Sequence, residues 1–208
     1  MEFTKATKSM TRLKIAISGA AGSGKTFSAL KIATGIGGKI AVIDTERGSA
    51  SLYADIFSFD ALNIEPPYSP DKYVEAVATA ERAGYSVIII DSLSHAWSGS
   101  GGLLDLHDSI LKSSKNSNGF SAWRDVTPIQ NRLIDTIVGS KCHVIATMRA
   151  KQEYVIEQGS GRTQVKRVGT GPQQRHDIEF EFTTYIEISQ DHVAVANKDR
   201  TGLFDSRF

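Results

Sequence analysis

The sequence is poor in cysteine and in long apolar runs, and each shortage excludes a class of protein. The single Cys142 cannot form an internal disulfide, and no apolar run exceeds the four residues of Val87–Ile90, far fewer than a membrane span needs. The first ten residues, MEFTKATKSM, carry no apolar signal region. We therefore expect no secretion, no membrane partner and a cytoplasmic location.

The chain also lacks an excess of charge of either sign. Lys and Arg number 24 and Asp and Glu number 23, so the 208-residue chain has a net charge of +1. A polycationic nucleic-acid coat and an acidic tail protein are excluded, and any nucleic-acid site must be local. The length suits one α/β domain spanning residues 1–208, and no domain linker interrupts it.

Short apolar runs alternate with helical patterns, which predicts an α/β fold with a mainly parallel sheet flanked by helices. The predicted buried strands are Leu13–Ser18, Lys39–Ile43, Ser86–Ile90 and His143–Ala146. After Asp177 the pattern becomes extended. Residues 179–189 and 192–197 are expected to pair antiparallel at the C-terminal edge of the sheet.

Start and stop signals mark three helices. One is expected from Lys25 toward Ala33, one from the Ser69-Pro70 cap to Gly84, and one from Thr127-Pro128 to Gly139. Residues 98–119 are rich in Ser, Gly and Asn around a short amphipathic piece at 103–111, and mobility is the simplest interpretation of this stretch.

A phosphate-binding loop follows the first strand. Residues 19–26, GAAGSGKT, fit the pattern G-x-x-x-x-G-K-[ST] between a predicted strand and a predicted helix. Its backbone N–H groups would surround phosphate oxygens, Lys25 would neutralise the β and γ phosphates of ATP, and Thr26 would offer its hydroxyl to Mg²⁺. The residues expected to bind the nucleotide are Gly19, Ala20, Ala21, Gly22, Ser23, Gly24, Lys25, Thr26 and Phe27.

Acidic residues follow two other strands and would lie beside this loop. Asp91 ends the run Ser86–Ile90 and is expected to hold Mg²⁺ directly or through water. Asp44 and Glu46 follow the strand at 39–43, and either could orient or deprotonate the attacking water. Both could instead cap the turn before Gly48.

These motifs resemble the RecA recombinase core, whose strands end in matching acidic motifs. The resemblance assigns water activation to Glu46 and the aspartate of the third core strand to Asp91. The chain looks still more like the short phage-encoded RecA-like ATPases of the single-strand annealing or recombination type. The matching segments are the FxKA-type start, GSGKT, VIDTERGSASLYA, IIDSLSHAW, HVIATMRAKQEYV and KDRTGLF.

Two further resemblances concern assembly. Lys198 and Arg200 match the K-x-R finger that hexameric helicases and KaiC-type ATPases insert into a neighbour's nucleotide site, where positive charge stabilises the transferring phosphoryl group. Phe3 and Ala6 resemble the Phe-x-x-Ala segment with which some recombinases pack onto an adjacent subunit, which makes residues 1–12 a candidate oligomerisation arm. A surface turn and an unattached terminus are the respective alternatives.

One position departs from RecA, which has a glutamine at the end of its fourth core strand. Thr147 and Arg149 stand there in this chain and are the candidate sensor residues, with Lys151 as a second candidate for coupling nucleotide state to DNA. The separate DNA-binding domains of longer recombinases have no counterpart in these 208 residues. Annealing and full strand exchange therefore both stay open.

Positive charge is concentrated in a predicted hairpin at 149–177 that turns at residues 159–161. Six cations and two acids between Arg149 and His176 give this segment a charge of +4, which leaves −3 for the rest of the chain. Such a segment suits a phosphodiester backbone, with weak sequence selectivity and strong salt dependence. Besides Arg149, the expected DNA-binding residues are Lys151, Arg162, Lys166, Arg167 and Arg175. Phe120 and Trp123 could stack on bases, although packing against the sheet is the alternative.

Together these features predict a magnesium-dependent ATPase of the RecA type. It would bind single-stranded DNA, promote annealing or recombination, and work as a homo-oligomer in the host cytoplasm, with a single-strand binding protein as a further candidate partner. The alternative is an ATP-dependent switch of the same fold that uses the 149–177 hairpin to dock a protein. The ring or filament form of the oligomer is left open.

Overall fold

A computed structural model describes residues 3–5, 7, 11–113, 119–159 and 162–204, with residues 152–169 described as backbone alone. The chain forms a sheet of eight strands in the order β3-β2-β4-β5-β1-β7-β8, and β6 pairs with β5. The strands are β1 (Lys14–Gly19), β2 (Ile40–Asp44), β3 (Asp60–Asn63), β4 (Val87–Asp91), β5 (His143–Gly159), β6 (Arg162–Pro172), β7 (Thr184–Ile188) and β8 (Ala194–Asp199).

The central strands are buried on both faces, which is why they are almost wholly apolar. β1 pairs in parallel with β5 and β7, and β4 pairs in parallel with β2 and β5. Because parallel strands end at one edge of the sheet, the loops after β1, β2, β4 and the core part of β5 come together there. The predicted parallel α/β sheet is thus confirmed.

Helices cover both faces of the sheet. They are α1 (Lys25–Ile36), α2 (Pro70–Arg82), α3 (Ser94–Ser98), α4 (Leu103–Ser113) and α5 (Gly119–Gly139), with short 3-10 helices at Ser49–Tyr53 and Ile178–Glu181. α2 and α5 bury Tyr73, Val77 and Leu133 against one face of the sheet, while α1 buries Leu30 and Ala33 against the other. Among the described helices, none has the length and apolar character required to cross a bilayer.

Two predicted elements begin at residues other than those expected. α5 begins at Gly119, eight residues before the Thr127-Pro128 start signal, and it carries Pro128 in its interior. Proline has no N–H to donate to the carbonyl four residues earlier, but Ala122 and Val126 extend the buried stripe of this helix and hold its first turns in place. Residues 178–181 form a 3-10 helix, so the expected strand over 179–189 begins only at Thr184.

The two irregular segments have different structures. Residues 103–113 form α4, so that part of the 98–119 stretch is ordered. β5 continues past the sheet and pairs antiparallel with β6, which confirms the predicted hairpin; a register shift lies between Glu153 and Tyr154. At the C-terminal edge, β7 and β8 pair antiparallel as predicted, although β7 itself runs parallel to β1.

Candidate nucleotide site

The loop between β1 and α1 has the backbone that its glycines allow. Gly22 and Gly24 adopt positive φ angles of 78° and 90°, which residues with a side chain rarely adopt. A Cβ atom on Gly19 would lie 2.5 Å from the carbonyl oxygen of Ile188 and 2.5 Å from the Ser23 hydroxyl. The predicted residues Gly19 to Phe27 thus run from the end of β1 through a tight turn into the first turn of α1.

Lys25 and Ser23 place polar groups inside this turn. The Lys25 ammonium donates to the carbonyl oxygens of Gly19 at 3.0 Å and Ala20 at 2.7 Å. Burial lowers the pKa of Lys25, while the nearby Asp91 and Glu46 carboxylates act in the opposite direction. The Ser23 hydroxyl is buried without a hydrogen-bond partner within the described protein. A cation, an unsatisfied hydroxyl and a helix N-terminus together fit the phosphates of a nucleotide.

Asp91 lies at the end of β4, where two threonines hold its carboxylate. Thr26 donates its hydroxyl to Oδ2 at 2.6 Å, and the fully buried Thr147 donates to Oδ1 at 2.5 Å. Burial raises the pKa of Asp91, and the two threonine hydrogen bonds partly oppose that shift. The Thr26 hydroxyl and the Asp91 carboxylate are hard oxygen donors of the kind that Mg²⁺ prefers. The sensor candidate Thr147 therefore contacts Asp91 from the neighbouring strand β5.

Asp44 and Glu46 differ sharply in their surroundings. Asp44 is fully buried, and its two oxygens accept hydrogen bonds from the backbone N–H groups of Glu46 at 2.6 Å and Ala50 at 3.0 Å. Asp44 thus stabilises the turn after β2. The Glu46 side chain stays 25% exposed at the sheet edge, near Asp91 and Lys25.

Arg149 and Ser92 contact the Glu46 carboxylate. Arg149 donates from Nε to Oε1 at 3.0 Å and from Nη2 to Oε2 at 2.6 Å, and the Ser92 hydroxyl donates to Oε1 at 3.2 Å. Burial would raise the pKa of Glu46, but the hydrogen bonds and charge of Arg149, with His95 and Ser92, hold it below its ordinary value. Arg149, the second sensor candidate, thus contacts Glu46, the candidate base, directly.

A cavity of about 610 Å³ opens beside the phosphate loop. Phe27, Tyr53 and His192 line it together with the loop itself, and the Phe27 ring packs edge-on against Tyr53 at 5.8 Å. The Nδ1 atom of His192 lies 3.1 Å from the carbonyl oxygen of Ser23. Sequence reasoning did not select Tyr53, Ser92 or His192 as site residues. Tyr53 and Ser92 stand within the matching segments VIDTERGSASLYA and IIDSLSHAW, but the side chains that those segments point toward the cavity and Glu46 follow only from the folded chain.

The finger residues lie at the opposite edge of the sheet from β3. Lys198 donates to the carbonyl oxygens of Glu179 at 3.1 Å and Phe180 at 2.6 Å, and Arg200 donates to that of Phe180 at 3.3 Å. Asp199 fixes the turn between them by accepting from the backbone N–H of Thr201 at 2.8 Å. Within the described chain, neither cation lines the cavity beside its own phosphate loop.

The predicted DNA-binding residues lie along the hairpin. Lys151 is exposed at its base and Arg175 is half-buried just after it. The backbones of Arg162, Lys166 and Arg167 belong to β6, while their side chains lie outside the described part of the structure.

The aromatic and N-terminal candidates have different surroundings. Phe120 is 91% exposed, whereas the Trp123 ring stacks on Trp97 at 5.6 Å and on His107 at 4.4 Å. Trp123 therefore packs against α3 and α4 rather than against the sheet, and the expected packing of Phe120 on the sheet was wrong. In the N-terminal arm Phe3 is fully exposed, and Ala6 falls outside the described residues.

The strand order, the phosphate loop and the Thr26–Asp91 pair define a RecA-like P-loop NTPase fold. A family model described as an AAA domain matches residues 11–204, and the chain belongs to that family. The chain is also similar to the crystal structure of the RadB recombinase, with a TM-score of 0.51 and 13% identity over 92% of this chain and 84% of that one. A search of curated proteins gives no match.

Proposed function

We propose that this protein is a magnesium-dependent ATPase that binds single-stranded DNA and promotes strand annealing or recombination as an oligomer. One observation carries the proposal. Glu46, Asp91 and the phosphate loop converge at one edge of the sheet, and β5 runs from that edge directly into the basic hairpin. One strand, β5, therefore connects the candidate nucleotide site to the basic surface that suits a phosphodiester backbone.

The site residues divide the work of hydrolysis. The backbone N–H groups of the loop and the Lys25 ammonium would bind the phosphates, and Thr26 with Asp91 would hold Mg²⁺, which supplies charge neutralisation at the phosphates. Glu46 would orient and deprotonate the attacking water. Tyr53, which lines the cavity beside the loop, offers an aromatic face to the nucleotide base.

DNA binding is assigned to the basic segment at 149–177. We expect Lys151, Arg162, Lys166, Arg167 and Arg175 to contact phosphates rather than bases, since the segment has one aromatic residue, Tyr154, for stacking. Five phosphate contacts on a single strand correspond to a slope of about −3.5 in a plot of log affinity against log salt concentration. Binding that ignored salt would contradict this assignment.

Assembly is assigned to the two edges of the sheet. A groove of about 250 Å³ between β3 and α2 is lined by Leu62, Ile64 and Ala76, and we propose that Phe3 and Ala6 of a neighbouring copy pack there. At the other edge Lys198 and Arg200 would leave the Phe180 carbonyl and enter the neighbour's nucleotide site. Different surfaces meeting head to tail produce a ring or a filament.

The deciding experiment measures the ATPase rate against protein concentration, with and without single-stranded DNA. We expect the rate per subunit to rise with concentration and with DNA, and Lys25→Ala to abolish it. A mixture of Lys25→Ala and Arg200→Ala proteins should recover activity, because each can supply the part that the other lacks. A rate that is independent of both concentration and DNA would refute the oligomer and the DNA ligand together.

A protein-docking switch remains the second candidate, since the hairpin could equally present its charge to an acidic protein. Capture of such a partner by the full chain, together with no salt-sensitive affinity for single-stranded DNA, would favour it. The phage-encoded origin, the host cytoplasmic location and a single-strand binding protein as partner belong to the first proposal. They rest on the resemblance of the motifs.

A further inference from the structure

The Arg149–Glu46 ion pair lies where the hairpin meets the nucleotide site. Arg149 is level with Gly19, the first residue of the phosphate loop, in the parallel pairing of β1 and β5. Its guanidinium contacts both oxygens of the Glu46 carboxylate, at 2.6 Å and 3.0 Å. One side chain therefore connects the candidate base to the strand that carries the basic segment.

The backbone of Arg149 is fixed from two sides. Its N–H donates to the Ser94 hydroxyl at 2.9 Å, and its carbonyl oxygen accepts from the N–H of Gln173, just after β6, at 2.6 Å. Both strands of the hairpin thus meet at this residue. A displacement of the hairpin at its base must therefore move the backbone that carries the guanidinium.

The ion pair also sets the chemistry of Glu46. A carboxylate that accepts a two-point hydrogen bond from a guanidinium is a weaker base and is held in one orientation. Burial of the Glu46 carboxylate opposes this effect on its pKa, whereas the His95 ring and the Ser92 hydroxyl, which donates to Oε1, act in the same direction as Arg149. The charges of the buried Asp91 and of Lys25 also lie close to Glu46. Within the described residues, Arg149 is the one cation in direct contact with the Glu46 carboxylate.

We propose that Arg149 is a positioning residue that restrains Glu46, and that DNA bound to the hairpin draws the guanidinium away and frees the carboxylate for catalysis. The inference rests on the proposed ATPase function and deepens it. It differs from a role for Arg149 as a direct contact of the γ phosphate, because that role requires the arginine for hydrolysis. In the role proposed here, Arg149 slows hydrolysis until DNA binds to the hairpin.

The test compares the steady-state ATPase of wild type and Arg149→Ala, with and without single-stranded DNA. We expect the DNA-free rate of Arg149→Ala to rise about fivefold, equivalent to about 1 kcal/mol in activation free energy, and stimulation by DNA to shrink by a similar factor. Arg149→Lys, which keeps the charge but not the two-point contact, should fall in between. An unchanged or lower DNA-free rate for Arg149→Ala would overturn the proposal.

Two readouts separate the restraint from a purely structural effect. The acid limb of the pH profile of kcat/KM should move to higher pH in Arg149→Ala, because Glu46 loses the partner that lowers its pKa. In a Glu46→Gln background, the same arginine substitution should produce no rise at all. A rise that persists without the carboxylate would show that Arg149 acts elsewhere.

A control variant and the activity of the wild type separate failure of the restraint from failure of the proposed ATPase function. Arg132→Ala removes an exposed cation of the same kind, which pairs with Asp71 on α2 at 3.2 Å away from the site, and it should leave every rate unchanged. Circular dichroism should show native folding for all variants. Absence of hydrolysis in wild type would refute the proposed ATPase, whereas hydrolysis in wild type with no rise in Arg149→Ala refutes only the restraint.

Discussion

Replacing the two carboxylates at the end of β2, Asp44 and Glu46, should produce different phenotypes. Glu46→Gln keeps the size of a half-buried side chain and one of its two acceptor oxygens but removes its basicity. General-base catalysis contributes about 10²–10⁴-fold, so we expect kcat to fall by that factor while ATP still binds. The lost ion pair with Arg149 is worth less than about 1 kcal/mol at this exposure, so Tm should change little.

Asp44→Asn should act on stability instead. The fully buried Asp44 carboxylate accepts two backbone N–H groups, at 2.6 Å and 3.0 Å, and an amide oxygen can replace only one of its oxygens. One buried N–H would then face an NH₂ group, at a cost of about 1.5–3 kcal/mol. For a chain of this length that corresponds to a fall in Tm of about 3–12 °C.

The assay measures both quantities on the same samples. Thermal denaturation followed by circular dichroism gives Tm, and coupled ATPase kinetics at 15–20 °C below the lower Tm give kcat and KM. Nucleotide binding by Glu46→Gln is measured by titration calorimetry. A stable Asp44→Asn protein without hydrolysis, combined with normal turnover in Glu46→Gln, would refute the assignment of Glu46 as the base and transfer that role to Asp44.

Three other perturbations test separate parts of the structure. Burial lowers the pKa of Lys14 from 10.5 to about 8, so between pH 8 and pH 10.5 the unfolded chain binds more protons than the folded chain, and the free energy of unfolding should rise with pH. Urea denaturation of the wild type should show this slope, and Lys14→Met should lose it. Thr147→Val removes the hydroxyl that donates to the buried Asp91 carboxylate, and the Mg²⁺ concentration for half-maximal ATPase activity should then rise about tenfold or more. Thr147→Ser keeps a hydroxyl and should have a Mg²⁺ requirement close to that of the wild type. Tyr53 lines the cavity, so if its ring stacks on the base, Tyr53→Ala should weaken ATP binding about tenfold, whereas Tyr53→Phe should bind ATP as the wild type does. Titration calorimetry measures the three affinities, and equal values would contradict the stacking contact.

The sequence predicted the parts of the fold that have a strong period or a motif. Continuous apolar runs identified β1, β2, β4 and the start of β5, and the glycine pattern identified the phosphate loop. β3 went unpredicted because its four residues are all exposed at the edge of the sheet and show neither a long apolar run nor an alternation of apolar and polar residues. The first turns of α5 were missed because Pro128 gives a strong start signal, whereas the packing of Ala122 and Val126 decides where the helix begins.

The site was predictable to the same extent. Strand order brings together Lys25, Glu46 and Asp91, so the ends of the strands were enough to predict that these residues lie close to one another. The contacts that distinguish Asp44 from Glu46 lie between loops, and no local pattern encodes them. Arg149 was expected near nucleotide or DNA, but its partner follows from the register of β5 against β1, which only the folded chain reveals.

The length of β5 gives the hairpin a mechanical property. About ten residues separate Arg149 from Gly159 at the end of the strand, which at about 3.4 Å per residue is a lever arm of roughly 30 Å along the chain. A rotation of about 5° at the base then corresponds to a movement of nearly 3 Å at the tip. In the opposite direction, a few ångströms of displacement at the tip become a turn of only a few degrees at the guanidinium. The hairpin therefore has the geometry of a long lever, in which a large displacement at the tip corresponds to a small adjustment at the base, where Arg149 and Glu46 form their hydrogen-bonded pair.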